Sequence, residues 1–212
     1  MRAGSAIPAG VIAAFFLAAA IGPALAPYGE GAIDIAHEFA PPGAGHVLGT
    51  GENGVDLLSA LLRGARLAAT VSLSVVSVSM ILGVAIGMAA GWLGGWADRA
   101  AMAAMNVLLG FPAILLNMAI IALVARPSVV HVIFALSVNG WVGYARVARA
   151  STMSVRQEDW MRSARCLGLH PFRIALRHAL PNIAAPLVIQ ATYGLGGVIL
   201  AESSLSFLGL GP

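Results

Sequence analysis

A chain of 212 residues that is 59% hydrophobic and 10% charged, with a mean hydropathy of +0.88 and a net charge of +3, is not an ordinary water-soluble domain, in which charged residues run at about 25%. Its 12 basic residues are all arginine, which excludes a phosphate-loop ATPase within the chain, because that chemistry needs a lysine reaching the β- and γ-phosphates. The one cysteine, Cys166, leaves neither an intramolecular disulfide nor a cysteine cluster for zinc or iron–sulfur.

A bilayer core of about 30 Å needs about 20 apolar residues per helix, and five stretches supply them, at 7–26, 67–91, 101–125, 128–145 and 183–201. Strand alternation is absent, so the expected fold class is an all-α polytopic membrane protein and not a β-barrel. The first stretch reads as an N-terminal transmembrane anchor over 1–26. Ala24-Leu25-Ala26 also fits a signal-peptidase site, but only Arg2 and the terminus charge the preceding region and the apolar run is long for a signal core. Residues 27–66 form the next segment, rich in proline and glycine (Pro27, Pro41, Pro42, Gly43, Gly45). From Val55 to Arg66 that segment turns amphipathic, with Leu57, Leu58, Leu61 and Leu62 opposite Asp56, Ser59, Arg63 and Arg66, and predicts a helix lying in the membrane interface. His37 and His46 are weak candidates for a metal, being nine residues apart in a loop.

The second stretch carries Gly83, Gly87 and Gly91 at every fourth position, a bare face that lets another helix approach closely. In the third, Phe111-Pro112 removes a backbone hydrogen bond and predicts a kink. Asn106, Asn117, Asn139, Gln190 and Thr192 place uncharged polar groups at membrane depth. Singly, each suits helix–helix contact; together with Phe111 and Pro112 they are candidates for a translocation path for a solute.

Arginine distribution orients the spans, since cytoplasmic loops carry the excess positive charge. Seven arginines fall between Arg146 and Arg177; with that loop inside, Arg2 and Arg99 are inside too, leaving Arg63, Arg66 and Arg126 outside. The expected topology is therefore a cytoplasmic N-terminus, an external 27–66 segment and five crossings. Interleaved aromatics of an RNA-binding kind are missing from the basic loop, which argues against nucleic acid as a partner. Within the loop, Ser154 and Gln157 fit a capping box, Glu158 and Arg162 an i,i+4 pair, and Gly168 a helix end, so a helix of about fourteen residues is expected. A second helix should run from Pro171 to Leu180 and stop at Pro181. The two helices would meet at Leu167-Gly168-Leu169-His170 as an exposed knuckle, with Trp160, Met161, Leu167, Leu169 and Phe172 as apolar groups beyond what a solvated loop needs.

Arg162-Ser163-Ala164-Arg165-Cys166-Leu167-Gly168, followed by Leu180-Pro181-Asn182, resembles the "EAA" signature Glu-Ala-Ala-x3-Gly-x9-Ile-x-Leu-Pro of permease subunits in binding-protein-dependent ABC importers. Gly168, Leu180 and Pro181 match, while Arg162, Ser163 and His178 replace the glutamate, first alanine and isoleucine. Further segments are similar to the dipeptide, oligopeptide and nickel branch: His46-Val47-Leu48-Gly49-Thr50 with Gly54, Asp56 and Ser59, then Gly91 to Arg99, Gly140 to Arg146, Arg177 to Asn182 and Glu202 to Gly211. Gly51, Asn53 and Val55 depart from the branch pattern. The resemblance implies a type I ABC importer permease bundle over 67–212, a coupling loop at about 146–182, and six spans, one more than the five present. It also implies two ABC ATPase subunits, a second homologous permease and an extracytoplasmic solute-binding protein as partners, in a bacterial inner membrane. Arg162, Ser163, Ala164, Gly168, Leu180 and Pro181 would make the ATPase-coupling contact. No catalytic, cofactor or metal role is implied, and dipeptide, oligopeptide, glutathione and nickel all remain open as solutes. The competing reading is a stand-alone secondary transporter, which needs an intramembrane ionisable group; His131 is the one candidate. An intramembrane enzyme lacks a Ser/His pair, paired aspartates or an H-E-x-x-H spacing.

Overall fold

The computed structural model describes residues 6–29, 31–166 and 169–211, in two compact units, Met1–Thr70 and Val71–Pro212. Among the described residues all regular structure is helical, apart from one isolated bridge between Thr50 and Asp56.

The first unit contains α1 (Ala6–Leu25), single turns at Ile35–His37 and Glu52–Gly54, and the start of α2 (Leu57–Leu93). The loop between α1 and α2 is tied down by its own side chains. The Tyr28 hydroxyl donates to the Gly45 carbonyl at 2.6 Å, the Tyr28 N–H to Ser59 Oγ at 3.1 Å, and Arg63 donates to the Tyr28 carbonyl. Thr50 bridges the loop, its hydroxyl donating to the His37 carbonyl and accepting from the Ala40 N–H at 2.8 Å. Asp56 caps α2 by accepting the Ser59 N–H at 2.8 Å, and its other oxygen meets His46 Nδ1 at 2.9 Å. Burial pushes the Asp56 carboxyl up, but hydrogen bonds from the Ser59 N–H and hydroxyl and from His46 outweigh that and hold it below the usual carboxylate value.

The interfacial helix expected over 55–66 and the span expected from 67 are one helix. Ala65, Leu67, Ala68 and Ala69 are strong helix formers and nothing interrupts them. At a rise of about 1.5 Å per residue the 37 residues of α2 reach about 55 Å, well beyond a bilayer core of about 30 Å.

In the second unit α3 (Gly95–Leu109) and α4 (Ala113–Ala122) meet at 81°. This is a break where a kink was expected. Pro112 drives the preceding Phe111 out of helical geometry, and Gly110 beside it offers no propensity to resist. Next, α5 (Val129–Val155) packs against α3, α4 and α8. It runs ten residues past the expected 145, so the first part of the presumed loop is helix. Short α6 (Asp159–Cys166) and α7 (Pro171–Ile174) follow, then a π-helical turn (Ala175–Ala179) and α8 (Leu180–Phe207). His170 caps α7 with Pro171 at its first position, as the sequence indicates. Pro181 does not end the helix. The wider π turn before it takes up the missing N–H and the ring, and the stretch Pro171–Phe207 is continuous.

The glycine stripe of α2 receives the backbone of α5. A Cβ at Gly83 would lie 2.5 Å from the Trp141 carbonyl oxygen, one at Gly87 would strike the Ala145 carbonyl, and one at Gly91 would lie 2.8 Å from that of Arg149. Both sets of residues advance by four in the same direction, so α2 and α5 run parallel with their i±4 rows in register. Against α8 the order reverses, Gly143 meeting Gln190 and Ala148 sharing a cluster with Ile183 and Leu187, so α5 and α8 are antiparallel. By length and composition α2 and Pro171–Phe207 qualify as membrane spans, and the α3–α4 pair as a third if taken as one. The apolar part of α1 with described side chains, Gly10–Leu25, is shorter, and α5 carries Arg146 and Arg149 in its second half.

Two predictions follow from this packing. Gly87→Leu should force α2 off α5 at a cost of about 3 kcal/mol or more, read as a Tm drop of several degrees in the purified protein, while Gly196→Leu, with nothing within 4 Å of its Cβ, should leave Tm unchanged. Because the folded Asp56 carboxyl is held below its unfolded value of 3.8, its contribution is present above that value and is lost as pH falls through the folded pKa. Amide exchange across 31–56 should therefore accelerate below about pH 4 in the native chain, and Asp56→Asn should show fast exchange already at neutral pH.

Candidate functional site

The segment between α5 and α8 carries the residues marked out as a coupling site. Its expected capping box does not form, since Ser154 lies inside α5, where its carbonyl accepts the Gln157 N–H at 3.0 Å. The helix that follows starts at Asp159, with an acidic first turn suited to the helix dipole, and is eight residues long where about fourteen were expected. Ser163 is exposed and its hydroxyl donates to the Asp159 carbonyl at 3.1 Å. Arg162 and Ala164 fall within α6, but their side chains, and with them the Glu158–Arg162 pair, lie outside what the structure describes, as do Leu167 and Gly168 altogether. Leu180 is partly buried and Pro181 exposed at the start of α8.

The apolar residues of this loop divide between two faces. Met161 and Ile174 are fully buried, in one cluster with Met88 of α2, Ala148 of α5 and Ala179, Ile183 and Leu187. Leu169 packs on the same cluster. Met161 and Leu169 therefore face the bundle, which corrects the expectation that they are displayed on a knuckle. Trp160 and Phe172 stay exposed. With its apolar stripe buried against α2 and α5, the loop forms the base of the helical bundle.

The seven residues considered for a translocation path are not brought into one chain of contacts. Among the described residues no hydrogen bond joins any two of them. Asn106 accepts from Arg146 Nη2 at 3.2 Å; Thr192 donates back to the Val188 carbonyl at 3.0 Å; Phe111 and Pro112 are exposed at the α3–α4 break. Asn117 is buried with its Oδ1 unpaired, Asn139 leaves Nδ2 unpaired, and Gln190 lies against Gly143. Ser79, Ser137 and Tyr144 add unpaired buried hydroxyls on α2 and α5, each a cost of about 1–3 kcal/mol where no partner is found. None of the seven lines the cavity of about 1030 Å³ between α2 and α7–α8, whose walls are apolar: Met80, Val84, Met88, Phe172, Leu176 and Leu187. His37 and His46 do approach, with ring centroids 6.4 Å apart, but each Nδ1 is taken by a carboxylate, Asp34 for His37 and Asp56 for His46.

Three features were missed in the sequence. Arg149 grips both carboxylate oxygens of Asp98, with Nη2 at 2.6 Å, and Arg156 Nη1 donates to the Gly91 carbonyl at 2.8 Å. Together with Arg146 on Asn106 they tie the end of α5 to α2 and α3. The spacing of Arg146, Arg149 and Arg156, at i, i+3 and i+10, marks one helix face; an apolar stretch that stops at residue 145 leaves all three in the loop. Glu202 is buried and accepts from Ser206 Oγ at 2.9 Å; it falls one residue past the end assigned to the fifth stretch.

Residues 83–212 match the family described as binding-protein-dependent transport system inner membrane component. A Brucella suis protein named for a peptide transport system permease is 40% identical over 92% of this chain and 65% of its own length. The dipeptide transport system permease protein DppC of Bacillus subtilis is 33% identical over 92% of the chain and 61% of its own. The oligopeptide transport system permease protein OppC of Mycobacterium tuberculosis is 35% identical over 99% of the chain and 72% of its own. The chain thus spans just under two thirds of the length of the first two. A helical bundle with apolar spans, matched from the glycine stripe of α2 through the end of α8, places the chain in the family of inner-membrane components of binding-protein-dependent transport systems.

Proposed function

We propose that this chain is a non-catalytic, path-forming permease subunit of an ATP-driven importer for peptides or a related small solute. It works with two ATPase subunits, a second homologous permease and an extracytoplasmic binding protein. The names of the relatives support a peptide as solute, since they include dipeptide and oligopeptide permeases. Absence of lysine from the whole chain supports placing ATP hydrolysis in a partner.

The observation that carries this reading is the packing of the α6–α7 loop. Met161 and Ile174 bury the loop in a cluster shared with α2, α5 and α8. A force applied to its outer face, where Ser163 and Phe172 are exposed, therefore reaches three helices at once, because a close-packed interior transmits displacement and does not absorb it. That is the mechanical property a coupling loop needs if nucleotide-driven movement of an ATPase is to rock the spans.

The topology is a cytoplasmic N-terminus and five crossings, with the α6–α7 loop inside. Parallel α2 and α5 support it: a chain that leaves α2 on one side and enters α5 from the other has to cross between them, which makes the bent α3–α4 pair a broken span and not a re-entrant loop. Seven arginines between Arg146 and Arg177 favour the inside for that end.

Replacing Gly168 by leucine should abolish uptake and the co-purification of the ATPase while leaving membrane insertion intact. Uptake and ATPase recovery from cells carrying the variant check this, and normal uptake would remove the loop from the coupling role.

A further inference from the structure

We propose that Asp98, Arg149 and Arg156 form a clamp that passes movement of the α6–α7 loop into the corner between α2 and α3; this rests on reading that loop as the ATPase contact. At the corner itself the hold is backbone hydrogen bonding, from the Gly94 N–H to the Ala90 carbonyl at 3.0 Å and from the Asp98 N–H to the Gly94 carbonyl at 3.3 Å. Gly94 and Gly95 both adopt left-handed backbone, at φ +67° and +56°, and a Cβ at either would meet nothing within 4 Å. Consecutive glycines in that region, without side-chain packing, make a joint whose angle is set from outside.

Arg149 of α5 and Arg156 at its C-terminal cap hold it, one on each side of the joint. On the α2 side, Arg156 Nη1 donates to the Gly91 carbonyl at 2.8 Å, one of the last four carbonyls of α2. On the α3 side, Arg149 places Nε and Nη2 on the two oxygens of Asp98, whose side chain and that of Arg149 are only 22% and 23% exposed. A bidentate guanidinium–carboxylate contact fixes orientation as well as distance, which a lysine in the same place would not do. Gly91 lies against the backbone and Thr152 of α5 between these two contacts, so the last turns of α5 and α2 are in direct touch.

Arg149 lies in the last two turns of α5, which ends at Val155, and Arg156 is the residue that caps it, seven positions on; α6 begins at Asp159. Displacement of α6 is thus delivered within one short turn to the helix end that carries both contacts. With the clamp in place, α2, α3 and α5 move as one body at this end. Without it, α5 moves and the glycine joint lets α3 lag. Asp98 and Arg149 are positioning residues in this scheme, acting on the spans through the joint.

The test uses the full chain in lipid nanodiscs, alone and assembled with its ATPase. In the chain alone, Arg149→Gln and Asp98→Asn should raise amide exchange at residues 93–99 by about tenfold, and the exchanged pair Asp98→Arg with Arg149→Asp should restore protection; unchanged exchange in both single variants would overturn the clamp. In the assembled transporter, spin labels at Ala103 on α3 and Ala150 on α5 should keep one separation before and after ATP–vanadate trapping in the native protein. In Arg149→Gln, with Tm and ATPase recovery unchanged, the separation should shift and broaden on trapping. A staple that only stabilises the fold would lower Tm and leave the trapped and untrapped separations equal, which overturns the proposal. Failure of the native chain to recover any ATPase would instead overturn the coupling reading, while the exchange measurement still decides whether the clamp exists.

Discussion

Close contact between the backbones of α2 and α5 is the constraint on which the second unit depends. Glycine at 83, 87 and 91 leaves three positions on the facing side of α2 without a Cβ, and the carbonyls of Trp141, Ala145 and Arg149 occupy that space. In lipid there is little hydrophobic gain from bringing two apolar helices together, so close approach with many dispersion contacts is what holds them. The same contact fixes direction. Because both rows step by four and in the same sense, α2 and α5 are parallel, and the chain between them has to be long enough to return. Pro112 and Gly110 divide that return into two helices at 81°, and α8 then runs antiparallel to α5.

The parallel pair also sets what happens at its far end. With Gly91 seated on α5, the side chains of Arg149 and Arg156 come within reach of Asp98 and of the Gly91 carbonyl, and Met88 joins Ala148, Met161 and Ile174 in one buried cluster. The α6–α7 loop is consequently built into the bundle. For the proposed coupling role this matters more than the exposure of any one loop residue, since a loop that buries Met161 and Ile174 cannot shift without displacing the helices around it. The polar residues at membrane depth carry the opposite message. Ser79, Ser137 and Tyr144 are buried and Asn139 is half-buried, each with a side-chain polar atom that has no hydrogen-bond partner among the described residues, a cost of the kind that packing alone does not offset.

Some of this was legible from the residues. The every-fourth glycine on α2 announced a close neighbour, Pro171 announced a helix start, and the Phe111-Pro112 step announced a bend. Each is a local backbone property that holds whatever surrounds it. Other readings failed where a local signal had a competitor. Ser154 and Gln157 have capping-box spacing, but α5 was already helical at Ser154, and a residue inside a helix has no free N-terminal donors to cap. Pro181 is a helix breaker in isolation, yet a π turn over Ala175–Ala179 absorbs it. The amphipathic stretch 55–66 joined α2 because nothing between Arg66 and Leu67 stops helix propagation.

Composition and pattern by themselves determined that lipid is the solvent, that the fold is helical, that no lysine is present for a phosphate loop within these 212 residues, and to which family the motifs belong. These follow from residue counts and short spacings, which need no knowledge of what lies across the molecule. Only the tertiary structure decided which neighbour the glycine stripe meets, that Met161 turns inward while Phe172 stays out, and that Asp98 and Arg149, 51 positions apart in sequence, form one contact. A helix presents every face equally to its own sequence; which of them is covered depends on where distant helices are brought, and that is settled by packing.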